Sequence, residues 1–191
     1  MLSTGIVGFI IFTVSVFIQG DQDGTSGVVA WAAASKDWEP VLFLRMIALI
    51  FMIVFTTGFI SWTRSINESG SAITLGKNFA LLALILMWTG FISQLAGFES
   101  ASDNSDAAYA LIKLSNFGNW FGGLLFGVSF FLAGASAYMA KSGTPVLNGL
   151  LAILGIVGAI GSFFTWFIWI GGFGLGLLVL GIIGLKKLVT E

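Results

Sequence analysis

Polar residues are gathered into a few short stretches of this chain, and the runs between them are apolar for about the length needed to cross a bilayer. The apolar runs cover 2–18, 41–62, 78–97, 120–140, 146–166 and 168–188. A helix crosses the hydrocarbon core with about 20 apolar residues, so each run is expected to be a membrane-spanning helix. The fold class that follows is an all-α, polytopic transmembrane helical bundle with about six crossings.

The last two runs are nearly fused, since no charge interrupts residues 146–185 and the first is Lys186. As one straight helix, residues 146–188 would extend about 64 Å, twice the hydrocarbon thickness. A turn is therefore expected within 165–172, where Trp166 and Trp169 suit a membrane interface and Gly171–Gly172 permits a tight reversal. The competing thread has five crossings and one re-entrant or surface segment. The first run resembles a secretory signal in length. It has no Lys or Arg ahead of it, and bulky Phe17, Ile18 and Gln19 stand where small residues would mark cleavage. It is read as a retained first helix.

The two longer polar stretches, 20–40 and 99–119, share a pattern. Each opens on an acidic turn, at Asp21–Asp23 and Asp103–Asp106, and continues into an Ala-rich segment, 28–35 or 107–115. Each reaches a Trp, Trp38 or Trp120, just before the next apolar run. A short surface helix is expected in both loops. The repeat fits a duplicated helical hairpin; it also fits the general likeness of outer loops in membrane proteins.

Lys and Arg favour the cytoplasmic side of short loops. Placing both termini in the cytoplasm puts Arg64, Lys77, Lys141, Lys186 and Lys187 inside, and leaves Lys36, Arg45 and Lys113 outside or at the outer interface. The loop acids Asp21, Asp23, Asp37, Glu39, Glu99, Asp103 and Asp106 then all fall outside. The glycosylation sequon at Asn67 falls inside, where it is silent. The expected location is the cell membrane.

Composition narrows the chemistry. The 191 residues are 57% hydrophobic and only 9% charged, with a mean hydropathy of +1.01, so the chain reads as one membrane domain over 1–191. There is no His and no Cys. Ordinary haem ligation, His- or Cys-based metal sites, thiol nucleophiles and imidazole relays are thus excluded. No cofactor and no metal are expected. The net charge of −1 gives no basic surface for nucleic acid. Asp21-x-Asp23 opens like an EF-hand loop, but Ser26 and Ala32 stand where that loop needs Gly and Glu.

Apart from Lys186 and Lys187 at the end of the last run, Arg45 is the one charge inside an expected crossing. Two readings are open. It forms a structural ion pair or snorkels to the outer surface, with Asp37, Glu39 and Glu99 as partners near in sequence or topology. Alternatively it serves a site for an anionic ligand or lipid. Other intramembrane polar residues are weakly polar, among them Ser15, Thr56, Thr89, Ser93, Gln94, Ser129 and Asn148. No intramembrane carboxylate supports proton-coupled transport, and no base stands beside a nucleophile. Small residues crowd the second half, with Gly123 and Gly127, Gly155, Gly158 and Gly161, and Gly172 and Gly176 at helix-packing spacings. They are expected at tight helix contacts within the chain or with another subunit.

The function read from the sequence is that of a non-catalytic multi-pass membrane protein. It is expected to be an accessory or structural subunit of a larger membrane complex, with the lipid bilayer and other membrane subunits, or copies of itself, as partners. The alternative is a passive channel or facilitator for a small uncharged solute or lipid. A third reading, an enzyme with its active site at the acidic outer loops, ranks below both.

Overall fold

The computed structural model describes residues 1–66, 70–164 and 166–190, and side chains throughout these except at 164, 166–170 and 187–190. Among the described residues the chain forms seven helices: α1 (Thr4–Gln19), α2 (Gly24–Ala34), α3 (Trp38–Ile66), α4 (Ser71–Glu99), α5 (Ser105–Met139), α6 (Pro145–Phe164) and α7 (Trp166–Thr190). The packing partners run in a closed circuit, α1 on α3, α3 on α4, α4 on α5, α5 on α6, α6 on α7 and α7 back on α1. The surface helix α2 packs on α4 and α5 at one end of this ring. That end is called the cap side below.

Four helices are long and apolar enough to cross a membrane: Trp38–Ile66, Ser71–Ser100, Ser105–Met139 and Pro145–Phe163. A fifth span results if α1 and α2, bent by 76°, count as one. The long apolar helices fit a membrane location. Length and composition thus support four or five crossings among the described residues, where the apolar runs lead one to expect six. The 16 residues of α1 extend about 24 Å against a core of about 30 Å, short of a span on its own, while α7 runs for 25 residues, of which side chains are described only over Gly171–Lys186.

The loop at 20–40 behaves as the pattern predicts. Gly20 ends α1 at φ 76°, a backbone state open to glycine. The Ala-rich segment forms α2 and stops at Ser35, which is extended. Pro40 lies in the first turn of α3, where its missing N–H costs no helical bond.

The loop at 99–119 departs from expectation. The second Ala-rich segment is the start of α5 and not a separate surface helix. The side chain of Asn104 accepts a hydrogen bond from the Ala107 amide at 3.0 Å and caps the helix. Nothing after it breaks the helix for 35 residues, about 52 Å. Ala108, Ile112, Ser115, Gly122, Phe126, Ser129 and Ala133 are all buried along it. Their spacings of three, four and seven keep them on one stripe against the neighbouring helices.

Two clusters form the interior. The larger is aromatic, with Phe55, Phe59, Phe126 and Phe130 fully buried and Phe173 nearly so. Their ring centroids lie 5.6–6.2 Å apart, and Phe130 stacks on Phe173. The smaller cluster joins Val29 and Ala32 of α2 to Leu42, Phe98, Ala108 and Ile112. Phe98 meets Trp31 and Trp38 edge-on at 5.6 and 6.2 Å.

Glycines let the second-half helices touch through their backbones. A Cβ on Gly127 would stand 2.5 Å from the Ala159 nitrogen and 2.7 Å from the Gly155 oxygen. Gly155 meets the backbone of Phe131, Gly158 that of Phe173, and Gly172 that of Gly158. Gly176 faces the ring of Phe130, and Gly123 and Gly161 are buried. In lipid, close approach of this kind supplies much of the packing energy, because tails are as apolar as the side chains. α6 ends at Phe164 and α7 begins at Trp166, so Gly171 and Gly172, expected at a reversal, lie within α7. Thr165, the side chains of Trp166 and Trp169, and the sequon at 67–69 lie outside the described residues.

Candidate functional site

The buried charge of α3 is the starting point. Arg45 lies seven residues, about 10 Å, beyond the first residue of α3, and only 6% of it is exposed. A guanidinium taken out of water costs several kcal/mol unless its donors are satisfied. α1 supplies the partners. Ser15 and Gln19 are four residues apart, so both project from one face of α1, and that helix packs along α3. Arg45 Nε donates to Ser15 Oγ at 3.2 Å. Arg45 Nη2 donates to Gln19 Oε1 at 2.6 Å. The Ser15 hydroxyl spends its own proton on the Phe12 carbonyl at 2.6 Å, which leaves its lone pairs for the arginine. The Phe12 ring lies 5.7 Å from Arg45 Cζ, within range of a cation–π contact.

All of these partners are neutral. Asp37, Glu39 and Glu99 are exposed, and among the described residues Arg45 makes no ion pair with any of them; its polar contacts are Ser15 and Gln19. Neither is the guanidinium at the surface, as snorkelling would require. The structure therefore holds a positive charge within the bundle, satisfied in part by dipoles and not neutralised.

Arg45 also lines a cavity of about 60 Å³ between α1, α3, α4, α5 and α7. By the rule that a water occupies ~10–15 Å³ of such volume, there is room for about four to six water-sized groups. The walls are mainly apolar, with the rings of Phe9, Phe12, Phe91 and Phe173 among them. Two further polar side chains reach it, Gln94 of α4 and Asn119 of α5. Gln94 is 8% exposed. Among the described residues the hydrogen bonds of the bundle include no partner for either amide. One turn before Asn119, Ser115 Oγ is fully buried and has no partner.

Away from the cap, the cavity borders the aromatic cluster. Phe173 forms part of its wall and also belongs to the aromatic cluster, which continues along α3 to Phe55 and Phe59. Toward the cap, Phe91 belongs both to the cavity wall and to the cluster that seats α2. The site is a partly open pocket between the cluster that seats α2 and a floor of phenylalanine rings.

Of the residues singled out in the sequence, Arg45 is central to this site, while Asp37, Glu39 and Glu99 stand apart from it. The glycines are not part of it and meet helices of the same chain wherever their neighbours are described. Among the described residues the acidic turns do not bring three carboxylates together. Sequence reasoning missed Asn119, which it placed in a loop, and gave Ser15, Gln19 and Gln94 no role. The Ser15–Gln19 spacing on the helix that precedes Arg45 was a usable signal, as was the unbroken stripe through Asn119. Comparison of the chain with protein families, with characterised proteins and with solved structures gives no match.

Proposed function

We propose that this chain is a non-catalytic multi-pass membrane protein that holds a ligand on its cap side, as an accessory subunit of a larger membrane assembly. The observation that supports binding is the pocket, whose lining brings together a buried guanidinium with only neutral partners and two amides with no described partner. The described lining brings no carboxylate, lysine or hydroxyl nucleophile to the cavity, so the pocket offers recognition and no acid–base pair. A conduit is less well supported, because the phenylalanine cluster fills the bundle beyond the pocket floor. On this reading the chain crosses the cell membrane six times, with α1 and α7 completing the set, both termini cytoplasmic and the cap outside.

The test is purification of the full chain from its native membrane in mild detergent, followed by organic extraction. A small molecule retained by the wild type and lost from Gln94→Leu supports the binding role. Partner chains at fixed ratio support the subunit role. Flux of a small neutral solute through proteoliposomes, with no molecule retained, would replace both with the conduit.

A further inference from the structure

We infer that the Arg45 cavity binds a singly charged carboxylate, the head of a fatty acid or of a small organic acid. The inference deepens the binding role proposed above and rests on it. Charge comes first. One guanidinium lies within the bundle, and its described partners, Ser15 and Gln19, are neutral. A monoanion would cancel that charge, whereas a neutral guest would leave it and a dianion would reverse it. A metal cation would be repelled.

Hydrogen bonding points the same way. A guanidinium has five N–H donors in a planar fork. Ser15 and Gln19 take one each, so three remain. The amides of Gln94 and Asn119 add N–H donors from the neighbouring helices. A carboxylate, which only accepts and has four lone-pair directions, matches such a set. Ser15 and Gln19 also hold the arginine in place before any guest arrives, so binding need not order its long side chain.

Size and surface then select among oxyanions. A cavity of about 60 Å³ suits a carboxylate and the first methylenes of a chain better than a bulky phosphodiester headgroup. The rings of Phe9, Phe12, Phe91 and Phe173 offer apolar contact to those methylenes. A free short acid and the end of a fatty acid share this chemistry, and the experiment separates them.

The full chain, in mild detergent, is incubated with palmitate, with hexadecanol or with acetate, and examined by native mass spectrometry and thermal unfolding. Retention of one palmitate per chain, without hexadecanol, is expected. Loss of a hydrogen bond to a charged group should weaken retention about tenfold or more in Gln94→Leu and Asn119→Leu. These two variants leave the described Arg45 bonds to α1 intact, so they remain informative if Arg45→Gln does not fold. Thermal protection by acetate without palmitate retention would assign the same site to water-borne acids. Equal retention of hexadecanol and palmitate would overturn the inference, as would undiminished palmitate binding in Gln94→Leu and Asn119→Leu. If neither acid binds while extraction still yields another molecule lost from Gln94→Leu, the carboxylate assignment falls and the binding role stands. If extraction yields nothing either, both fall.

Discussion

Arg45 Nη2 reaches across from α3 to Gln19 Oε1, 2.6 Å away on the last turn of α1. This bond, with the one from Nε to Ser15, fixes the cap-side ends of the two helices to each other. Removing the acceptor leaves a buried charged donor unsatisfied, which costs about 1–3 kcal/mol. Gln19→Leu should therefore lower the unfolding temperature in detergent clearly. Ser15→Ala should cost less, because its bond is longer and α1 keeps its backbone ladder. A Gln19→Leu protein as stable as wild type would show that the guanidinium is satisfied elsewhere.

Adjacent glycines give a sharp contrast. A Cβ on Gly171 would meet nothing within 4 Å among the described residues, while one on Gly172 would strike the backbone of Gly158. Leu at 171 should be tolerated. Leu at 172 should force α6 and α7 apart and yield an unfolded or aggregated chain in size-exclusion chromatography. Gly127→Leu should behave like Gly172→Leu, since its neighbours are also backbone atoms of this chain. A folded Gly127→Leu protein that has merely lost a partner would move that glycine to a subunit interface.

Ser129 Oγ donates to the Gly76 carbonyl at 2.7 Å, a fully buried link from α5 to α4. Bonds of this kind between membrane helices contribute about 0.6 kcal/mol on average and at most about 2. Ser129→Ala should show a loss within that range in a reversible unfolding assay. A larger loss would mean that the small-residue packing around Ser129 had also changed.

The cap is held by Phe98, which meets both Trp31 and Trp38 edge-on. Phe98→Ala should cost about 3 kcal/mol where the site cannot collapse. The cost should fall on α2 before the rest of the bundle. Limited proteolysis should then cut within residues 20–40, and tryptophan emission should shift to the red. Unchanged protection of that segment would mean that α2 is anchored mainly by Val29 and Ala32.

The proposed orientation is accessible because the chain has no cysteine. Single cysteines at Ser26 and Ser105 should react with an impermeant thiol reagent on intact cells, and one at Ser71 should not. The reverse pattern would invert the topology.

Arg45 stood out in the sequence because nothing else in its apolar run is charged. Its partners did not, because Asp37, Glu39 and Glu99 are near in sequence but exposed. Ser15 and Gln19 come close only through the packing of α1 along α3, which no local pattern specifies. The long helices were legible from hydropathy, but their ends were not. α5 begins 15 residues before the apolar run that announced it, since its first turns bury only Ala108 and Ile112 against the α2 cluster and carry polar residues on their exposed face. Asn119 was lost to the site for that reason. The glycine spacings were legible as packing faces, and the structure adds which helices they serve.

The cluster of phenylalanines beneath the pocket has an electrical consequence. Conduction of protons or ions needs a continuous file of water, and water needs polar walls at two or more points. Ring faces offer none, so the floor under Arg45 acts as insulation. Across a resting membrane, a full elementary charge carried through the field corresponds to about 2.3 kcal/mol per 100 mV. With the cap facing outer water as proposed, that drop would fall mainly across the rings, and little of it would reach Arg45. Occupancy of the pocket would then be nearly independent of voltage.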